Sequence, residues 1–82
     1  MDIQKYSLMI KRKGESGYNL HTEPHMHLLP RIGEKLELSI DGPGYVFEVV
    51  DVIHNWNAGA NPAEIYAIEV DTTTGYLSKL NS

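Results

Sequence analysis

The segment HTEPHMH, residues 21–27, places three histidines and one glutamate within seven residues. In an extended strand, side chains two residues apart point to the same face, so His25 and His27 lie about 6.5–7 Å apart along it. Two imidazoles at that spacing can bind one metal ion, and Glu23 on the same parity could supply a third ligand. The segment therefore predicts a metal site formed by His25, His27 and Glu23.

The alternative interpretation of this segment is the solvated polar face of a strand, with no cofactor. Pro24 interrupts the backbone hydrogen bonds beside these residues. If Tyr6–Ile10 pairs with residues 18–28 in a hairpin, apolar residues face each other only when paired residue numbers sum to an even number. A sum of 32 places Ile10 opposite Thr22 and makes residues 14–18 the connection between the strands. That register places Lys5 opposite His27, and nearby ammonium groups raise the cost of binding a dication.

The second candidate site is the loop that contains the only tryptophan of the chain. The polar segment HNWNAGANPA, residues 54–63, separates two apolar runs, and loops of this length frequently carry recognition residues. Trp56 offers a large flat surface to a partner, or folds back to cover an open barrel end. The asparagine side chains offer paired hydrogen-bond donors and acceptors. The predicted binding residues of this loop are Asn55, Trp56, Asn57 and Asn61.

Arg31 is the remaining candidate binding residue, in the bend LPRIGE at residues 29–34. Its guanidinium could hold a phosphate or a carboxylate of a ligand. The alternative is an ion pair with a neighbouring acid, for which Glu34 is the nearest choice. We predict that Arg31 contributes to ligand or partner binding.

Alternating apolar residues predict the strands that must position these side chains. The segment at residues 45–54 is apolar at both odd and even positions. This pattern indicates a central strand covered on both sides, or a strand with a bulge at Val49-Val50. On the last strand, residues 65–70, we expect Tyr66, Ile68 and Val70 to face inward. The segment TTTGYLSKL is expected to be a sixth strand or an ordered tail. Turns are predicted at GESG (14–17), at LPRIGE (29–34) and at DGPG (41–44).

The strand pattern predicts an all-β fold with a single domain spanning residues 1–82. We expect a small antiparallel β-barrel of five or six strands, SH3-like or partly open, because closure hides one apolar face and removes exposed edges. A domain of 82 residues without cysteines has little core to stabilise it. Self-association into a homo-oligomer is therefore expected as well.

Charge and hydropathy narrow the classes of partner and location. Seven basic and eleven acidic residues give a net charge of −4, which disfavours a nucleic-acid partner. No stretch approaches the roughly 20 apolar residues of a membrane span, and the N-terminus lacks the layout of a secretion signal. These features predict a cytoplasmic protein that does not engage a membrane.

No set of residues in the sequence indicates catalysis, so we expect no enzymatic activity. The chain has no cysteine, no G-x-S-x-G motif and no glycine-rich phosphate loop. The sequence favours an acidic binding module that binds or sequesters a protein partner through residues 54–63 and adjacent strand edges. In size and charge it resembles phage-encoded inhibitors of host defence. The alternatives are an oligomer that sequesters a small ligand or nucleotide in an interface pocket, and a metal-binding barrel.

Overall fold

The computed structural model of the chain describes residues 4–22, 25–26, 29–54 and 63–81. This part of the chain is mostly β, as predicted, with one short helix at its C-terminal end. The elements are β1 (Gln4–Lys5), β2 (Ser7–Lys11), β3 (Asn19–Thr22), β4 (His25–Met26), β5 (Lys35–Ser39), β6 (Gly44–His54), β7 (Ala63–Thr72) and α1 (Thr73–Leu80). Strands β1 and β4 pair with each other, and the other five strands form one sheet in the order β3-β2-β7-β6-β5.

Strand β7 lies at the centre of the five-stranded sheet, with a paired strand on each side. It runs antiparallel to β6 and parallel to β2, with Ser7 opposite Glu64 and Lys11 opposite Ile68. The sheet is therefore mixed, and the predicted all-antiparallel arrangement is wrong. Parallel neighbours need a long connection, and here the connection from β2 to β7 contains β3, β4, β5 and β6.

The predicted barrel is also wrong, because the five-stranded sheet is open. Among the described strands, β3 and β5 each have a neighbour on one side only. These edge strands have four and five residues, whereas β6 and β7 have eleven and ten.

The core lies on one face of this sheet, which we call the inner face. Phe47, Val49 and Ile65 are its largest fully buried side chains. The buried cluster consists of Tyr6, Leu8, Ile10, Phe47, Val49, Ala63, Ile65 and Ala67. Partly buried side chains of β5, together with Leu29, pack against this cluster. Burial of these apolar side chains is the main stabilising contribution to the fold.

The inward-facing residues of β7 differ from those predicted. Ile65 and Ala67 are fully buried, whereas Tyr66, Ile68 and Val70 are half-buried and alternate with them. Both parities of this strand carry apolar residues, so alternation alone did not distinguish its two faces. Ala67 lies opposite Ile10 of β2 and Val49 of β6, which are also buried.

A β-bulge at Val50 accounts for the two apolar parities of β6. Val49 pairs with Ala67 and Asp51 pairs with Tyr66, so Val50 is the extra residue. Beyond the bulge the parity of the strand reverses, which turns Asp51 away from the core. The predicted shift at Val49-Val50 is confirmed.

The predicted hairpin between β2 and β3 forms, but its register is wrong. Leu8 pairs with Thr22 and Met9 with Leu20, so paired numbers sum to 30 and 29. His21 is the extra residue of a bulge between these two pairs. The register differs because the connection is longer than the predicted residues 14–18, with a turn closed by a hydrogen bond from the Glu15 N–H to the Arg12 carbonyl (3.0 Å).

Arg12 ties the end of β2 to the two longest strands of the sheet. Its Nε donates to the Glu69 carboxylate on β7, and its guanidinium carbon lies 4.4 Å from the ring centroid of Tyr45 on β6. The hydrogen bond to Glu69 raises the pKa of Arg12. An ion pair joined to a stacked ring holds the guanidinium in one orientation.

Helix α1 replaces the predicted sixth strand or ordered tail. Thr72 is its N-cap, and the Thr72 hydroxyl oxygen accepts a hydrogen bond from the Gly75 N–H (3.0 Å). Asp71 accepts from the Thr72 N–H (2.7 Å) and from the Lys79 ammonium (2.8 Å). The Lys79 bond and then the Thr72 bond lower the pKa of Asp71. This contribution to stability is present above the ordinary pKa of aspartate and is lost as the pH falls through the lowered value.

In the described part of the chain, no helix is long and apolar enough to cross a membrane. Helix α1 has eight residues, against the roughly 20 that a membrane span needs.

The Thr73→Val substitution should stabilise the fold. The Thr73 hydroxyl oxygen is buried and has no hydrogen-bond partner among the described residues. A methyl group in its place removes the cost of burying an unpaired hydroxyl, so the free energy of unfolding should rise by about 1 kcal/mol. Urea denaturation measures this change. The matched control is Thr74→Val at an exposed position of α1, which should shift stability by less than about 0.5 kcal/mol. Equal effects of the two substitutions would contradict the prediction.

Candidate functional site

Most of the predicted site residues lie outside the described part of the chain. For these residues the sequence-based predictions stay predictions. They are Glu23, His27, Asn55, Trp56, Asn57 and Asn61. Arg31 and the backbone of His25 are described.

His25 belongs to β4, where it pairs with Lys5 of β1. The predicted partner of Lys5 was His27, so the register differs by two residues from the one used to weigh the metal site. Among residues 4–22, 25–26, 29–54 and 63–81, no group of three histidine or acidic residues is arranged to hold a metal ion. The metal site of His25, His27 and Glu23 falls largely outside those ranges and stays a prediction.

Arg31 lies in a groove at the end of the sheet where β6 finishes. The groove has a volume of about 470 Å³ and is lined by Leu29, Pro30, Arg31, Ile32, Val52 and His54. Val52 and His54 pair with Ile65 and Ala63 of the core, so the groove continues from the inner face of the sheet. His54 is the last residue of β6, and the predicted recognition loop follows it directly in the chain. We call this feature the Arg31 groove.

A tight turn fixes the backbone of Arg31 at the edge of this groove. The Glu34 N–H donates to the Arg31 carbonyl (3.0 Å), and Gly33 has a φ of 93°. A positive φ at the third turn position is typical of a type II turn and favours glycine there. The turn is held against β6, because the Gly33 N–H donates to the Val49 carbonyl (2.8 Å) and the Val49 N–H donates to the Glu34 carbonyl (2.9 Å).

The Glu34 carboxylate also takes part in this turn, but through the backbone of Arg31. The Arg31 N–H donates to Glu34 Oε1 (2.6 Å). The guanidinium of Arg31 is exposed, and within the described residues it makes no hydrogen bond or ion pair. The alternative of a guanidinium–Glu34 ion pair is therefore not observed. The charge of Arg31 is available to an anionic group outside the described chain.

The same turn occurs a second time, at residues 12–15. RKGE at 12–15 and RIGE at 31–34 share the pattern R-x-G-E. In both, the glutamate N–H donates to the arginine carbonyl and the glutamate carboxylate accepts from the arginine N–H. Gly14 has a φ of 86°, close to that of Gly33. Sequence reasoning missed this pattern, although the repeated spacing of arginine, glycine and glutamate was visible.

The Arg31 groove combines an apolar floor with positive charge. Leu29, Pro30 and Val52 supply apolar surface that is buried or half-buried, while Arg31 and His54 are exposed at its rim. A guanidinium binds carboxylate and phosphate groups through paired N–H donors. An imidazole offers a further hydrogen bond. The arrangement suits a ligand that carries an apolar body next to an anionic group.

Removing the glutamate side chain should release the Arg31 turn. In Glu34→Ala the Arg31 N–H loses its charged acceptor, so its hydrogen exchange should accelerate by about tenfold, which corresponds to the loss of one hydrogen bond of roughly 1.4 kcal/mol. Amide hydrogen exchange followed by NMR measures the rate.

Glu15→Ala is the matched control in the twin turn. It should accelerate exchange of the Arg12 N–H and leave that of Arg31 unchanged, because the two turns are separate. Acceleration at both arginines in either variant would show general loosening of the fold and contradict the assignment.

No family model matches the chain, and no curated protein or solved structure matches it either.

Proposed function

We propose that this protein is a non-enzymatic binding module that holds a protein partner at the end of the sheet. The binding surface consists of the Arg31 groove, residues 54–63 and the adjoining strand edges. The observation that carries the proposal is an exposed guanidinium that has no partner among the described residues. It lies beside an apolar floor, in a groove that ends where the predicted recognition loop begins. A binding surface needs an apolar contact area and a few directional polar groups, and both are present here.

Charge favours an acidic segment of the partner. The chain carries a net charge of −4, yet the groove presents Arg31, and no acidic residue is among the described residues that line it. A carboxylate from a glutamate, an aspartate or a C-terminus would meet the guanidinium, while a neighbouring apolar side chain lies on Leu29 and Val52. Sequestering a partner in this way requires no catalytic group.

A groove open to solvent suits an extended segment better than an enclosed small molecule. Ile32 at its rim is 65% exposed, and contact with a partner would remove this apolar surface from water. Trp56 lies two residues beyond His54 in the sequence and is proposed as an aromatic contact for the same partner. Asn55, Asn57 and Asn61 are proposed to supply hydrogen bonds.

The second candidate function is binding of a small anionic ligand, and one observation favours it. A volume of about 470 Å³ lies within the range of small-molecule sites, roughly 300–1,000 Å³. Association of two copies would enclose such a ligand at an interface. Native mass spectrometry of tag-free protein separates the two functions, because a retained small-molecule mass supports the second candidate and contradicts the first.

Selection from a random peptide library tests the proposed function directly. Displayed twelve-residue peptides that bind the parent protein should be enriched in sequences that place an acidic residue next to an apolar one. In Arg31→Ala their dissociation constants should rise by at least about tenfold, because a charge-assisted hydrogen bond contributes roughly 1.5–3 kcal/mol. Titration followed by fluorescence of Trp56, the single tryptophan, measures the constants.

The control for this experiment is Lys13→Ala. Lys13 is an exposed cation in the twin turn at residues 12–15, so both variants lose one positive charge. Binding should be unchanged in this control. A selection that enriches no sequence, or peptides that bind both variants alike, would contradict the proposed function.

A further inference from the structure

The face of the sheet opposite the core, which we call the outer face, carries aromatic and apolar side chains. Met9, Tyr66 and Asp51 lie side by side across β2, β7 and β6, on the parity that points away from the core. Leu20 of β3 pairs with Met9 and extends this row. Leu20 is 56% exposed, and Tyr18 next to it is 37% exposed. Exposed apolar surface flanked by charge is typical of a site of protein contact.

Two tyrosines form a corner on this outer face. The rings of Tyr18 and Tyr66 have their centroids 5.1 Å apart and are perpendicular, at 89°. The Tyr66 hydroxyl donates to Glu64 Oε1 (3.2 Å). Glu64 therefore lies beside the corner on β7, and Asp51 lies beside it on β6. The negative faces of aromatic rings and two carboxylates attract positive charge.

The chain already places a cation at this corner. The Lys11 ammonium lies over the ring of Tyr18, with Nζ 5.9 Å from the ring centroid. Burial is the main cause of the raised pKa of Tyr66, and the nearby carboxylates of Glu64 and Asp51 raise it further. Two carboxylates against one ammonium leave an excess of negative charge among these neighbouring groups.

We propose that the outer face binds a basic segment of a partner protein, with a lysine or arginine side chain seated against Tyr18, Tyr66 and the carboxylates of Glu64 and Asp51. Leu20 and Met9 contact the aliphatic part of that side chain and its apolar neighbours. When no partner is present, the Lys11 ammonium lies over the Tyr18 ring, and the partner's cation displaces it on binding.

This site is separate from the Arg31 groove in place and in chemistry. The groove continues from the inner face of the sheet and presents a cation, whereas the tyrosine corner lies on the outer face and presents anions. Variants at one site should therefore leave binding at the other unchanged, and failure of one proposal does not decide the other.

The test uses a capped peptide, acetyl-Leu-Lys-Ser-Lys-Leu-amide, and a counterpart in which norleucine replaces both lysines. Titration of isotope-labelled protein followed by NMR should shift the ring signals of Tyr18 and Tyr66 with the lysine peptide only. In Glu64→Gln the dissociation constant should rise at least threefold. The control Glu37→Gln removes the same charge from an exposed position on β5 and should leave binding unchanged. Both glutamine variants are conservative, and a thermal melt verifies folding.

Removing the Lys11 ammonium from the Tyr18 ring should strengthen peptide binding, whereas Glu64→Gln should weaken it. In Lys11→Met the Tyr18 ring is free, so the lysine peptide should bind about threefold more tightly, as expected for a cation–π contact of roughly 0.5–1 kcal/mol. Lys35→Met is the control, because Lys35 belongs to the edge strand β5 and pairs with Glu48 at 3.5 Å. No shift at the tyrosines, equal binding of the norleucine peptide, or equal effects of each variant and its control would overturn the proposal.

Discussion

The parallel pairing of β2 with β7 is the interaction on which the rest of the structure depends. It joins the N-terminal hairpin to the long β6–β7 hairpin, and it aligns Leu8 and Ile10 with Ile65 and Ala67 so that these side chains share one buried face. The Arg12–Glu69 ion pair closes the end of this junction. Without the pairing, β7 becomes an edge strand and the core loses the side chains contributed by β2.

The central position of β7 also separates two surfaces of opposite charge. Its buried residues face the core that leads to the Arg31 groove, and the alternate residues carry Glu64 and Tyr66 to the outer face. The bulge at Val50 matters for both surfaces, because it keeps Val52 on the inner face while turning Asp51 outward. One extra residue in β6 thus lets a single strand contribute to a cationic groove and to an anionic tyrosine corner.

The sequence predicts most of the strands and turns, but it predicts neither helix α1 nor the arrangement of the strands in the sheet. The period-two alternation predicts strands, and positions such as Gly33 and the DGPG segment predict tight turns, because these features depend on neighbouring residues. The parallel pairing depends on contacts between residues 57 positions apart in the chain, which no alternation encodes. For β7, apolar residues on both parities left the buried face undecided. For β6, apolar residues at both odd and even positions were compatible with a central strand or with a bulge, and the structure shows the bulge at Val50.

In the candidate sites too, features that depend on neighbouring residues could be predicted, whereas contacts between distant segments could not. Arg31 was predicted as a binding residue from its place in a bend, and the hydrogen-bonded R-x-G-E turn now explains how its backbone is held. The meeting of Tyr18 with Tyr66, from β7 and the connection that precedes β3, could not be predicted from spacing.

The parallel junction can be tested by the backbone NOEs between β2 and β7 in the isotope-labelled protein. A parallel junction should give cross-strand NOEs in a parallel register, with Met9 opposite Tyr66, and the open sheet should give none between β3 and β5. NOEs that connect β3 with β5, or an antiparallel pattern between β2 and β7, would contradict this arrangement.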